Sequence, residues 1–112
     1  MKSTPSASDH YFKQIVDFTD ALSHPARMKI LQELSQGVRT NGELTRLLPQ
    51  AQATVSQHIK VLKDAGLILA EEVGTSMHYS LSPTGIRKLK RALGELIREL
   101  PNFTPAQHLR SS

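Results

Sequence analysis

One stretch in the middle of the chain constrains the fold more than any other: an amphipathic helix pattern that runs directly into two strand patterns. Over residues 52–65 the apolar side chains recur with helical periodicity, and Gly66 ends the pattern. Residues 67–73 and 77–81 then have the length and composition of strands, with the turn sequence Gly-Thr-Ser at 74–76 between them. The pattern therefore predicts a helix followed by a β-hairpin.

Three further helices are predicted before this unit. The first covers residues 10–22, where an apolar side chain recurs every three or four positions. Ser23 is the predicted N-cap of the second helix, and Gly37 ends that helix. Thr40 and Glu43 have the spacing of a capping box and begin a third, short helix. The side chains predicted to be buried on the second and third helices are Ala26, Ile30, Leu31, Leu34, Leu44, Leu47 and Leu48.

A long helix is predicted after the hairpin, with Ser82 as its N-cap and Pro83 at its first position. The chain is thus mainly α-helical, of the α+β class, with five helices and a hairpin in the order ααααββα. Two short helices joined by a tight turn and followed by a hairpin are typical of a winged helix-turn-helix. We expect one domain over residues 10–100, with flexible segments over 1–9 and 101–112.

The composition excludes several classes of protein. The 112 residues contain no cysteine, which rules out disulfides, thiolate metal sites and thiol redox chemistry. No apolar run approaches the ~20 residues of a membrane-spanning helix, and residues 1–13 lack the apolar core of a signal peptide. We therefore expect a cytoplasmic protein without a membrane partner.

No enzymatic motif is present. The sequence has no Ser/His/Asp or Cys/His set, no paired carboxylates in an apolar setting, no phosphate-binding loop and no GxGxxG pattern. We expect no catalytic residues, no enzyme activity and no cofactor. Fourteen Lys and Arg against ten Asp and Glu give a formal charge of +4, which weakly favours a polyanionic partner.

The helix over residues 52–65 has two faces of different chemistry. At about 100° per residue, one face carries Val55, Ile59, Leu62 and Ala65. The opposite face carries Ala53, Ser56, Gln57, Lys60 and Asp64. Small side chains permit close approach to a major groove, Gln can pair with adenine, Ser serves either base, and Lys reaches guanine or phosphate. This face predicts a helix that binds double-stranded DNA, and a polar surface helix without a ligand is the alternative.

Three segments resemble parts of the ArsR/SmtB-type repressors: ALSHPARMKILQEL (21–34) their second helix, ATVSQHIKVLKDAGLI (53–68) their recognition helix, and VGTSMHYSL (73–81) their wing. The resemblance covers about residues 11–100. It implies a homodimer that binds an inverted-repeat operator and usually represses, and a metal ion or other ligand lowers DNA affinity in many members. By position, the resemblance assigns DNA contacts to Gln52, Thr54, Ser56, Gln57 and His58, with the wing tip at Gly74, Thr75 and Ser76.

The wing departs from the family pattern. Where many members have an Arg beside the turn glycine, this chain has Thr75 and Ser76, preceded by Glu71 and Glu72. Without an Arg that could enter the minor groove, we expect the wing to contact only the DNA backbone.

The usual metal ligands of the family are absent too. Thr40-Asn41-Gly42 stands where some members have a Cys-x-Cys pair, and the last helix, residues 84–100, contains neither Asp nor His. We therefore expect no metal at these sites, and the inducer stays unassigned. A site from His10 and His108, with Asp9 as a further ligand, is the remaining route.

Within the predicted recognition helix, we expect Gln57 and Ser56 to specify the sequence and Lys60 and Lys63 to position the helix on phosphates. His58 lies at the border of the buried face, so packing against the protein is an alternative to DNA contact.

Apolar stripes on the first and last helices predict a homodimer. The predicted interface residues are Tyr11, Ile15, Phe18, Leu22, Ile86, Leu89, Leu93 and Ile97. The alternative, for part of the stripe on the last helix, is that its residues only cover the core of their own chain and take no part in a dimer. Two functions remain open: an operator-specific dimeric repressor, and a nonspecific architectural DNA-binding protein of the same fold.

Overall fold

The computed structural model describes residues 7–100 and contains five helices and three strands there. The elements are α1 (Ala7–Leu22), α2 (Pro25–Leu34), β1 (Arg39–Thr40), α3 (Asn41–Leu47), α4 (Gln52–Asp64), β2 (Ile68–Val73), β3 (Ser76–Leu81) and α5 (Pro83–Glu99). The predicted five helices and hairpin are confirmed, and each boundary of α4 and the hairpin lies within one residue of its predicted position. No helix in this part of the chain is both long and apolar enough to cross a membrane.

The first helix begins earlier than predicted. Residues 7–9 belong to α1, so the helix starts three residues before its predicted position. Asp9 lies in the first turn of α1, where its negative charge interacts favourably with the positive end of the helix dipole. The other residues predicted to be flexible, 1–6 and 101–112, lie outside the described part of the chain.

The N-cap of α2 also differs from the prediction. Ser23 is not the cap, because its hydroxyl donates to the carbonyl oxygen of Asp20 at 2.7 Å and so closes the end of α1. His24 occupies the N-cap position in an extended conformation, and its side chain makes no capping hydrogen bond. Pro25 at the first position of α2 loses no hydrogen bond, since that amide would have no helical partner.

The capping box of α3 is confirmed. The backbone amide of Glu43 donates to the Thr40 hydroxyl at 3.1 Å, and the amide of Thr40 donates to the Glu43 carboxylate at 2.9 Å. These bonds from Thr40 lower the pKa of Glu43.

The sheet contains one strand that was not predicted. β1 pairs antiparallel with β3, which places Arg39 opposite Tyr79, and the strand order is β1-β3-β2. β2 and β3 form the predicted hairpin, with Val73 opposite Ser76 at its end. Ser76 therefore belongs to β3 and not to the turn as predicted. Gly74 has a φ of +63°, a conformation that favours glycine in a tight turn.

Side chains from all five helices and the hairpin form one core. Its buried members are Phe18, Ala21, Ile30, Leu34, Leu44, Leu48, Val55, Ile59, Leu62, Leu67, Ile68 and Tyr79. Leu47, predicted to be buried, is 45% exposed, and Leu31 and Ala65 are only partly buried. The short helix α3 ends at Leu47, and Leu48 follows in an extended conformation and fills the core position.

The start of α5 is built as predicted. The Ser82 hydroxyl accepts a hydrogen bond from the amide of Gly85 at 3.0 Å, and Pro83 follows the cap. The helix then packs along α1. The core thus holds α4 on one side of the domain, with the hairpin beside it.

Candidate nucleic-acid interface

The predicted recognition helix lies on the surface with its polar face outward. Val55, Ile59 and Leu62 are buried in the core and fix the orientation of α4. The residues left exposed on α4 include Gln52, Ala53, Thr54, Gln57, Lys60 and Lys63, and Ser56 is half-buried. The faces of this helix are therefore arranged as its periodicity predicted, and both candidate base-reading residues, Ser56 and Gln57, lie outside the buried face.

The two lysines of α4 differ in their partners. Lys60 Nζ lies 2.8 Å from a carboxylate oxygen of Asp64, one turn further along the helix. This hydrogen bond raises the pKa of Lys60. Lys63 forms no ion pair with any carboxylate in residues 7–100. Within the described residues, the charge of Lys60 is therefore compensated by Asp64 and that of Lys63 is not.

His58 is turned toward α2. Its Nδ1 atom accepts a hydrogen bond from Arg27 Nε at 3.1 Å, and its ring centroid lies 5.3 Å from that of His24. Burial, then the charge of Arg27 and then His24 lower the pKa of His58. One edge of the His58 ring thus packs against the protein, as the alternative stated, while the rest of the ring remains partly exposed.

Arg27 joins three helices and had no predicted role. Besides the bond to His58 on α4, its Nη1 donates to the carbonyl oxygens of Asp20 at 3.2 Å and Ala21 at 3.4 Å, near the end of α1. Arg27 and His24 are three residues apart at the start of α2, a spacing that places them on the same side of a helix. That spacing was the available signal, but only the tertiary structure brings His58 beside them.

The hairpin forms the wing predicted from the sequence. Thr75 and Ser76 are exposed at its tip. A groove of about 410 Å³ separates the wing from α4, and Ser56, Ile59, Lys60, Lys63, Asp64, Ala70, Met77 and Tyr79 line it. Glu71 and Glu72 are exposed on β2. These two carboxylates would repel the phosphates of a DNA backbone that came close to β2.

The predicted dimer residues divide into three groups by burial. Phe18 is only 7% exposed and belongs to the core of its own chain, so its assignment to a dimer interface is wrong. Tyr11, Ile15, Leu22, Ile86 and Leu89 are half-buried, and the last three pack against the same core. Leu93 and Ile97 are exposed.

Two exposed apolar residues near this group were missed. Phe12 and Val16 lie one turn apart on α1. Leu100, the last apolar residue of the stripe on the last helix, follows α5 and is exposed. Because α1 packs against α5 within the chain, part of the predicted stripe is used there and Phe12 and Val16 are left outside. The spacing of Phe12 and Val16 in the sequence was the signal that could have identified them.

No group of three or more His, Cys, Asp or Glu side chains that could hold a metal ion occurs in residues 7–100. His10 packs edge-on against the ring of Tyr11, with the centroids 5.5 Å apart. His108 lies outside the described residues, so the proposed pairing of His10 with His108 is not tested. The absence of a metal stays a prediction.

Comparisons with known proteins agree with this geometry. A family model described as a helix-turn-helix domain matches residues 22–76. The HTH-type transcriptional regulator Rv2034 of Mycobacterium tuberculosis is 42% identical over 73 residues, which cover 65% of this chain and 68% of that protein.

Two solved structures have the same fold. The crystal structure of the ArsR family transcriptional regulator RHA00566 is 26% identical in sequence, with a TM-score of 0.71. The match covers 84% of this chain and 97% of the RHA00566 chain. The solution structure of the homodimeric winged helix-turn-helix DNA-binding domain of Mb0332 from Mycobacterium bovis is 22% identical, with a TM-score of 0.65. The match covers 93% of this chain and 97% of the Mb0332 domain. The chain belongs to the ArsR/SmtB family of winged helix-turn-helix transcriptional regulators, which agrees with the expectation that it is not an enzyme.

Proposed function

We propose that this regulator is a homodimeric repressor that binds an inverted-repeat operator, with α4 in the major groove. The observation that carries the proposal is the chemistry of the outer face of α4. From Gln52 to Lys63 the helix contains no acidic residue, and Asp64 at its end is paired with Lys60. A helix that only faces solvent more often alternates acidic and basic side chains.

Base reading is proposed for Gln57 and Ser56. Gln57 is exposed and can bond to N6 and N7 of adenine, and Ser56 can bond to either base of a pair. Ala53, one turn before Gln57, has no side chain beyond Cβ and allows the helix to approach the base edges. Gln52 and Thr54 are exposed at the start of the same helix and are proposed contacts there.

Backbone contacts are proposed for Lys63, for Lys60 after it exchanges Asp64, and for Thr75 and Ser76 of the wing. The wing hydroxyls can donate to phosphates. The nearby carboxylates of Glu71 and Glu72 oppose deeper insertion.

Dimerisation is proposed through α1 and α5. Val16 and Ile97 are 66% and 70% exposed; Phe12 and Leu93 on these helices, and Leu100 directly after α5, add further exposed apolar side chains. The homodimeric Mb0332 domain has the same fold. A two-fold dimer would present two copies of α4 to half-sites about one helical turn apart, roughly 10 base pairs. Because it would act on chromosomal DNA, we propose that the protein is cytoplasmic.

A nonspecific architectural protein would use the same lysines but would not discriminate between base sequences. The deciding experiment is footprinting on the DNA upstream of the protein's own coding region, followed by affinity measurements on the protected segment and on random DNA at the same stated salt. We expect the protected segment to bind at least about 10³-fold more tightly. Equal affinities would refute the repressor proposal and favour the architectural function.

A further inference from the structure

A helix in the major groove has a row of phosphates on each side, because the groove is about 12 Å wide and bounded by both strands. On the wing side of α4, Lys60 and Lys63 line the groove next to the hairpin. Helix α4 also packs against α2, and a cluster of nitrogen-rich side chains lies where the two helices meet: His24, Arg27 and His58.

We propose that His24, Arg27 and His58 together bind a phosphate of the DNA backbone beside the contact between α2 and α4. The inference rests on the proposed function, since it requires α4 to lie in the major groove. It adds a second backbone contact that is assembled from two helices.

Arg27 is held in place and still has donors to spare. Its Nε and Nη1 atoms donate to His58 and to two carbonyl oxygens of α1, which fixes the plane of the guanidinium group. Its Nη2 atom, which carries two further N–H donors, has no hydrogen-bond partner in the described part of the chain. A guanidinium group that is already fixed loses little conformational entropy when it binds an anion.

His58 has one nitrogen that is free to donate. Because an arginine N–H can only donate, Nδ1 of His58 must be the acceptor in their hydrogen bond, and the proton of the neutral ring is on Nε2. Nε2 has no hydrogen-bond partner among residues 7–100. The lowered pKa of His58 favours this neutral form at neutral pH. His58 is therefore an uncharged donor beside a charged one.

The charge of the cluster is not neutralised within the domain. Arg27 forms no ion pair with a carboxylate of the described residues. His24 is exposed and makes no capping hydrogen bond, so its ring is available beside His58. An uncompensated guanidinium group flanked by two imidazoles is suited to a phosphate and unsuited to a cation.

The test measures binding of Arg27→Gln and His24→Ala to operator and random DNA over a range of salt concentrations. We expect Arg27→Gln to weaken binding to both DNAs alike, by about tenfold. The slope of the logarithm of affinity against the logarithm of salt concentration should fall by about 0.9. His24→Ala removes an exposed side chain and should also lower the affinity for both DNAs. The matched control is Lys29→Gln, which removes one charge from the same helix outside the cluster and should leave the slope unchanged.

Phosphate ethylation interference separates a DNA contact from a structural role. In the wild type, ethylation of one phosphate on the α2 side of each half-site should impair binding, and this effect should become weaker in His24→Ala, which keeps Arg27 and His58. The inference is overturned if His24→Ala keeps wild-type affinity and interference, or if Arg27→Gln loses affinity only because its melting temperature falls. Failure of base reading would show separately, as equal wild-type affinity for operator and random DNA.

Discussion

Gly85 lies so close to Gly66 that a Cβ atom at position 85 would overlap the Gly66 carbonyl oxygen. The same Cβ would be 2.9 Å from the Gly66 carbonyl carbon and 3.3 Å from the Cα of Leu67. These are backbone atoms, which cannot rotate away as a side chain could. The contact joins the first turn of α5, the proposed dimerisation helix, to the turn that follows α4, the proposed recognition helix.

We predict that Gly85→Ala destabilises the fold by at least about 1–3 kcal/mol, the usual cost of overpacking a core. The matched control is Gly94→Ala in the same helix, where an added Cβ would have no neighbour within 4 Å. That substitution should stabilise the helix by up to about 1 kcal/mol, since alanine has the higher helix propensity. Urea unfolding of both variants is the measurement. Equal effects of the two substitutions would contradict the close contact at Gly66.

The features predictable from the sequence are those set by local chemistry. The Thr40–Glu43 capping box, the Ser82 N-cap and the two faces of α4 depend on residues within one or two helical turns of each other, and all three were predicted. Strand β1 has only two residues and no periodicity of its own. It exists because Arg39 pairs with Tyr79, forty positions further along the chain, and such a pairing has no local signal.

The candidate site shows the same division. Helical periodicity placed Gln57 on the exposed face of α4, but it could not predict which ring nitrogen of His58 lacks a hydrogen-bond partner in the described part of the chain. That depends on Arg27, which is 31 residues away in sequence. Phe18 was assigned to the dimer interface because an apolar stripe does not reveal which of its members face the core. Only the packing of α1 on α5 separates buried Phe18 from exposed Val16.

For the dimer, we predict that Ile97→Glu yields a folded monomer at micromolar concentration. Ile97 is 70% exposed, so the carboxylate is solvated in the monomer but would be buried without a partner in the dimer. Val38→Glu is the control, because Val38 is exposed in the segment between α2 and β1, away from both helices. Sedimentation should find the control dimeric. A dimeric Ile97→Glu, or a monomeric wild type, would contradict an interface at this position.

Removal of the Asp64 carboxylate should strengthen DNA binding without regard to sequence. Asp64 neutralises Lys60 at 2.8 Å, so Asp64→Asn frees that lysine for a phosphate. We expect higher affinity for operator and random DNA and a salt slope larger by about 0.9. Asp17→Asn is the control, since it removes the same charge from a Lys13–Asp17 pair on α1. If both variants bind alike, the gain comes from net charge and not from Lys60.

The lowered pKa of His58 predicts a pH dependence of stability. The causes are burial, then Arg27 and then His24, and all three disfavour the protonated ring in the folded state. The contribution to stability is therefore complete above the ordinary value of 6.5 and is lost as the pH falls through the lower folded pKa. Urea unfolding of the wild type and of His58→Asn at pH values from about 7.5 down to about 5 should show the steeper loss in the wild type. Parallel curves would contradict the predicted role of His58.

The proposed division between base reading and backbone contact makes opposite predictions for two residues of α4, Gln57 and Lys63. Gln57→Ala should cost about 1–3 kcal/mol on the operator, relax the preference at one base pair and leave random DNA unaffected. Lys63→Ala should weaken all sequences about equally and reduce the salt slope by about 0.9, since it removes one phosphate contact. Gln36→Ala, at an exposed position after α2, serves as the control for glutamine loss. The measurement is affinity for the operator, for its single-base variants and for random DNA at several salt concentrations. If Gln57→Ala weakened every sequence alike, Gln57 would be a backbone contact, and the specificity of the regulator would have to reside elsewhere on α4.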